Sequence, residues 1–155
     1  MNLRDHSYSA RVVWTGNLGP GTSTYRSYSR DHRVVVDGPG ELLGTADPTF
    51  HGSADRWNPE QLLLVAVAQC PMLSYLHVAV TRGVVVTGYS DSAEGSLRLN
   101  DDGSGEFTGI TLRPRVELAD PSQTALADSL HVKAHELCFI ARSVAFPVTH
   151  EPSSS

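Results

Sequence analysis

Asn58–Gly83, NPEQLLLVAVAQCPMLSYLHVAVTRG, decides how the rest of the chain must fold. Asn58 is placed as a helix N-cap. Pro59 suits the first helical position, and Glu60 puts a negative charge at the positive end of the helix dipole. Gly83 is a stop. Between them the segment is apolar all round, not on one stripe, so the helix must be buried on every side or span a bilayer. Gln69, Pro71, Ser74 and His77 interrupt the run and argue against spanning. A central helix with other elements packed around it is predicted. Cys70, one of only two cysteines in the chain, sits in its middle.

The chain has 155 residues, which suggests a single domain over 1–155 with a sizeable core. The net charge of −5 and the absence of a Lys/Arg-rich run argue against a nucleic-acid footprint. Lys133 is the only lysine, so nearly all the basic charge is arginine. The N-terminus, MNLRDHSYSA, lacks the apolar core of a signal peptide, and no membrane span is expected. A cytoplasmic location follows as an expectation. Two cysteines far apart in such a chain suggest redox chemistry, metal binding or unrelated core thiols more than a stapling disulfide.

Outward from the helix, strands are predicted at Ser7–Trp14, Tyr25–Asp37 and Glu41–Thr45, separated by Gly/Pro turns. Asp47–Trp57 reads as an irregular loop. After Gly83, Val84–Tyr89 is β-branched and Ser90–Leu99 continues it with a bend at Gly95. NDDGSG at Asn100–Gly105 is a hairpin turn, and Glu106–Leu118 returns with Pro114 pushing it toward an edge. Asp120-Pro121 opens a helix over Gln123–His135, and Glu136–Val144 reads as a second short one. A strand-like tail follows, and 151–155 is expected to fray. Strands, a helix, strands again and then helices predict an α+β fold with antiparallel sheets.

Cys70 and Cys138 lie 68 positions apart. Both suit the core as small hydrophobes. They equally suit a peroxidatic and resolving pair, in which a thiolate attacks a peroxide and the resulting sulfenic acid condenses with the second thiol. That chemistry needs a cation beside the thiolate, for which Arg26, Arg30 and Arg33 are candidates. Glu60 stands about 15 Å along the helix axis from Cys70, too far to touch it. It can anchor an arginine bidentately or simply start the helix. His131, His135 and Cys138 have i, i+4, i+7 spacing, a partial metal-ligand set to which His77 is a possible fourth member. Ser74 and His77 are helical neighbours without a nucleophile elbow or oxyanion loop, so they read as packing or interface groups.

NPEQLLLVAVAQC resembles the helix start and first-cysteine motif of the OsmC/Ohr family. HELCFIARSVAFPV resembles the second-cysteine segment of an OsmC-like branch, and YRSYSRDH the arginine-bearing strand of that branch. The resemblance spans nearly the whole chain. It implies an intertwined homodimer in which antiparallel sheets wrap long central helices. It also implies a thiol peroxidase that reduces organic hydroperoxides, without a bound cofactor or metal, and is regenerated by an external, lipoyl-type dithiol. In it Cys70 is the peroxidatic thiol, Cys138 the resolving thiol, and Glu60 orients an activating arginine. Arg30 is the best match, with Arg26 the alternative. Two features depart from the pattern: Pro71 after Cys70, which predicts a bend there, and Phe139 after Cys138, where peroxidase members more often carry proline. A non-catalytic dimer binding an apolar ligand, or a His/Cys metal protein, remain the alternative functions.

Overall fold

The computed structural model describes residues 4–155, and the first three residues of the N-terminal stretch lie outside it. The chain divides into two compact units, 1–62 and 63–155.

In the first unit, β1 (Arg11–Trp14), β2 (His32–Val36) and β3 (Gly40–Gly44) form an antiparallel sheet in that order. The first two expected strands, Ser7–Trp14 and Tyr25–Asp37, were too long. Tyr25–Arg30 is not strand but a set of turns. Ser27 Oγ donates to Gly21 O at 2.8 Å and Ser27 N to Thr24 O at 3.2 Å. Such local side-chain bonds compete with a β ladder. The loop before the helix carries a 3-10 turn, Pro48–Phe50, capped by Asp47.

The long helix, α1, runs over Pro59–Thr81. Its start is a reciprocal capping box: Asn58 Oδ1 accepts from Gln61 N at 2.8 Å, and Asn58 N donates to Gln61 Oε1 at 3.1 Å. Gly83, at φ +69°, ends it. Val84 N donates to Ala79 O at 3.0 Å and Gly83 N to Val80 O at 3.2 Å, which is a Schellman close. The helix runs unbroken through Pro71, whose ring is buried.

In the second unit, β4 (Val86–Asp91), β5 (Glu94–Leu99), β6 (Gly105–Leu112) and β7 (Pro114–Leu118) form two stacked pairings of one long hairpin. The break falls at Arg113, so β4–β7 belong to one sheet and β5–β6 to another. Pro114 is not at an edge. It is the first residue of β7, the central strand of its sheet, where a missing N–H is tolerated. A 3-10 turn at Pro121–Gln123, capped by Asp120, leads into α2 (Thr124–Leu137). The second short helix is absent, and only a 3-10 turn at Ala141–Ser143 follows.

The C-terminal tail does not fray. β8 (Val148–His150) pairs with β6 and β9 (Ser153–Ser154) with β7, both in parallel. Backbone groups that would otherwise lie unpaired along β7 hold it: Leu118 N donates to Ser155 O at 2.9 Å and Ser155 N to Val116 O at 3.0 Å. These two sheets are therefore mixed, whereas β1–β2–β3 is purely antiparallel.

Two cores result. Tyr75, Val78 and Ala79 of α1 pack with Val116 of β7 and Ala127, Leu130 and Ala134 of α2. Val67 packs with Ile110 and Leu112 of β6. The helix is long and apolar enough to cross a bilayer, yet these residues face protein. It is not buried on every side within one chain, however: Leu73 and Val80 are 60% and 78% exposed.

Candidate functional site

Cys70 and Cys138 come together. Cys70 lies in mid-α1 and is half-buried; Cys138 is fully buried, and both are free thiols. Cys138 is not inside a helix as expected. It is the C-cap of α2, with extended backbone, and its N–H donates to His135 O at 3.2 Å. That turn brings its side chain against α1, with the thiol beside Cys70. Burial, followed by the Cys70 contact, pushes the Cys138 thiol up to about 11. Cys138 is thus the protonated partner at neutral pH, able to donate S–H to the Cys70 sulfur. Ala141 N donates to Cys138 Sγ at 3.2 Å, and the Ile140 amide also meets it. These backbone donors have no side-chain signature, so nothing in the sequence announced them.

Arg30 and Glu60 belong to the first unit. The Arg30 guanidinium lies 4.4 Å from the Tyr25 ring centroid and 4.1 Å from that of Tyr28. It donates to Tyr28 O at 2.8 Å and Tyr25 O at 2.7 Å. It is pre-positioned, with donors to spare. Arg33 is instead paired with Glu41 at 3.3 Å on the sheet surface. Glu60 Oε2 is buried without a hydrogen-bond partner.

The proposed metal face does not form. Because α2 ends at Leu137, Cys138 leaves the line of His131 and His135. Among the described residues no three His, Cys, Asp or Glu side chains are grouped to hold a metal. The histidines instead pack against aromatic rings. His131 stacks on Tyr75 at 4.2 Å, and His135 meets His150 edge-on at 4.6 Å. The interior contribution of His150 went unnoticed in the sequence because its partners are distant in the chain. His77 is exposed and Ser74 half-buried.

A family model described as OsmC-like protein matches residues 52–153. The chain belongs to the OsmC family. Among solved structures, an OsmC-like protein of unknown function from Vibrio cholerae superposes with a TM-score of 0.85 at 31% identity, over 96% of this chain and 99% of that one. An organic hydroperoxide resistance protein OsmC from Legionella pneumophila has a TM-score of 0.71 at 22% identity, covering 97% of each chain. The organic hydroperoxide resistance protein OhrB of Bacillus subtilis has a TM-score of 0.62 at 22% identity, covering 96% of this chain and 98% of that one. These two share the fold. No curated relative matches the sequence. Within this family fold the two cysteines lie side by side as free thiols.

Proposed function

We propose that the protein is a cysteine-based peroxidase that reduces organic hydroperoxides to alcohols in the cytoplasm. The observation that carries this reading is the contact between Cys70 and Cys138 across 68 positions of sequence. The Cys70 thiolate attacks the distal peroxide oxygen, the O–O bond breaks, and the alkoxide leaves as the alcohol after taking a proton. Cys70 is then a sulfenic acid. Cys138 attacks its sulfur, water leaves, and a Cys70–Cys138 disulfide forms. An external dithiol, of lipoyl type by family analogy, returns both thiols.

Arg30 is proposed as the cation beside Cys70, held by Glu60. In support, two backbone carbonyls hold the Arg30 guanidinium and leave it further N–H donors, and Glu60 carries an orphaned buried oxygen of the kind an arginine satisfies. A homodimer is proposed from the apolar exposed side of α1, since Leu73 and Val80 would otherwise face water.

One observation favours the binding-module alternative. A cavity of about 510 Å³ is lined by Leu64, Ala68, Met72, Tyr89 and Ala93 but not by Cys70. Against it as the main function, the thiols touch instead of lying apart in sealed cores. The test is consumption of cumene hydroperoxide with a dithiol reductant. Wild-type protein should turn over and Cys70→Ser should not. Equal rates in the two would reject Cys70 as the nucleophile.

A further inference from the structure

The two sulfurs of the pair are not equivalent. Cys138 is 0% exposed, whereas Cys70 is only half-buried, so an external thiol has access to Cys70 alone. The backbone also treats them differently. Where α2 ends, the chain turns through residues 138–141 and presents the amides of Ile140 and Ala141 to Cys138 Sγ, the latter at 3.2 Å. Successive N–H groups converging on one atom make an anion-binding concavity. Cys70 lies inside a continuous helix, where neighbouring amides are spent on the helix itself.

We propose that the Cys70–Cys138 disulfide opens in one direction only: an external thiolate attacks Cys70 Sγ, and Cys138 Sγ departs as a thiolate received by the amides of Ile140 and Ala141. The step balances. A new S–S bond forms between the reductant and Cys70 while the Cys70–Cys138 bond breaks. Its electron pair goes to Cys138, which then takes a proton. The second thiolate of the dithiol attacks the reductant's own sulfur in the mixed disulfide. It leaves as a cyclic disulfide and frees the Cys70 thiolate. In the dithiol protein, burial and the Cys70 sulfur both hold the Cys138 proton on, with burial the larger cause. When Cys70 is capped in the mixed disulfide its share disappears; burial still opposes the Cys138 thiolate, and the amides of Ile140 and Ala141 are what offset it. The inference rests on the pair forming a disulfide, and on no particular peroxide.

The test begins with protein oxidised by diamide, which closes the disulfide without a peroxide. It is treated briefly with 2-mercaptoethanol, stopped in acid, alkylated after denaturation and mapped by peptide mass spectrometry. The expected product carries mercaptoethanol on Cys70 and the alkyl label on Cys138. Mercaptoethanol on Cys138, or on both equally, would overturn the proposal, as would failure of diamide to close the disulfide. Closure by diamide but not by organic hydroperoxides would remove the peroxidase function and leave this inference standing. A second measurement targets the amide. Semisynthetic full-length protein with lactate in place of Ala141 keeps the side chain and loses the N–H. Opening should slow roughly three- to tenfold, from the strength of a hydrogen bond to a charged group and a partial leaving-group dependence. The equivalent ester at Ser143, whose amide bonds Ile140 O, should open at the wild-type rate. An unchanged rate in the Ala141 ester would eliminate the amide's role.

Discussion

Tyr75 is fully buried on α1, and its hydroxyl donates to Ala127 O of α2 at 3.1 Å. Removing the hydroxyl deletes a buried hydrogen bond while Ala127 O keeps its helical one, so Tyr75→Phe should cost about 0.5–1.5 kcal/mol, measured as a lower urea midpoint with unchanged m. His150 is the second residue-scale case. Burial, then His135 and His131, lower its pKa to about 4, and Nε2 has no partner. The unfolded chain takes up this proton near pH 6.5, the folded one not until near 4. Between those values the unfolded state holds more protons, so stability should fall as pH drops from about 6.5 to 4. Asp128 accepts from Ser154 at 2.6 Å and acts on His131. In His150→Gln the dependence of the urea midpoint on pH over that window should flatten; an undiminished slope would assign it to other groups. The spacing of His131, His135 and Cys138 was legible in sequence, but whether three ligands converge depends on where α2 ends, and no Gly or Pro marks that end.

At the scale of elements, the ends of α1 were legible because caps are local. Asn58, Pro59 and Gly83 act within a turn of the helix, so sequence neighbours suffice, while the reciprocal bond from Gln61 came from the structure. The C-terminal strands were not legible. β9 is two residues long and pairs with β7, nearly forty positions earlier, so its polar sequence carries no alternation to detect. Deleting residues 151–155 would strip Leu118 N and Val116 O of their partners and break the Ser154–Asp128 bond. The loss should be about 1–3 kcal/mol, lowering Tm by several degrees in a thermal melt. A deletion that melts like the full chain would mean that the tail contributes nothing to stability. Likewise Pro114 pointed to an edge position for the return strand, yet it opens β7, the central strand of its sheet.

On the scale of the whole molecule, the exposed side of α1 is the feature a single chain leaves unresolved. Leu73 at 60% and Val80 at 78% exposure lie on a helix whose other side is core. The proposed homodimer would cover them. Leu73→Asp places a charge in that surface and should shift the protein from dimer toward monomer in analytical ultracentrifugation. Wild-type and variant sedimenting alike would move the interface elsewhere.

The sequence by itself determined the long helix, its caps, the α+β class, the hairpin turn and the two cysteines, together with the family they resemble. Each of these is written in neighbouring residues, because hydrogen-bond caps, turn chemistry and apolar runs act over short separations. The tertiary structure alone decided that Cys138 sits at a helix end in contact with Cys70, that backbone amides face its sulfur, and that the tail is strand. Those depend on chain segments dozens of residues apart and on N–H groups that every residue type shares, so no local pattern can encode them.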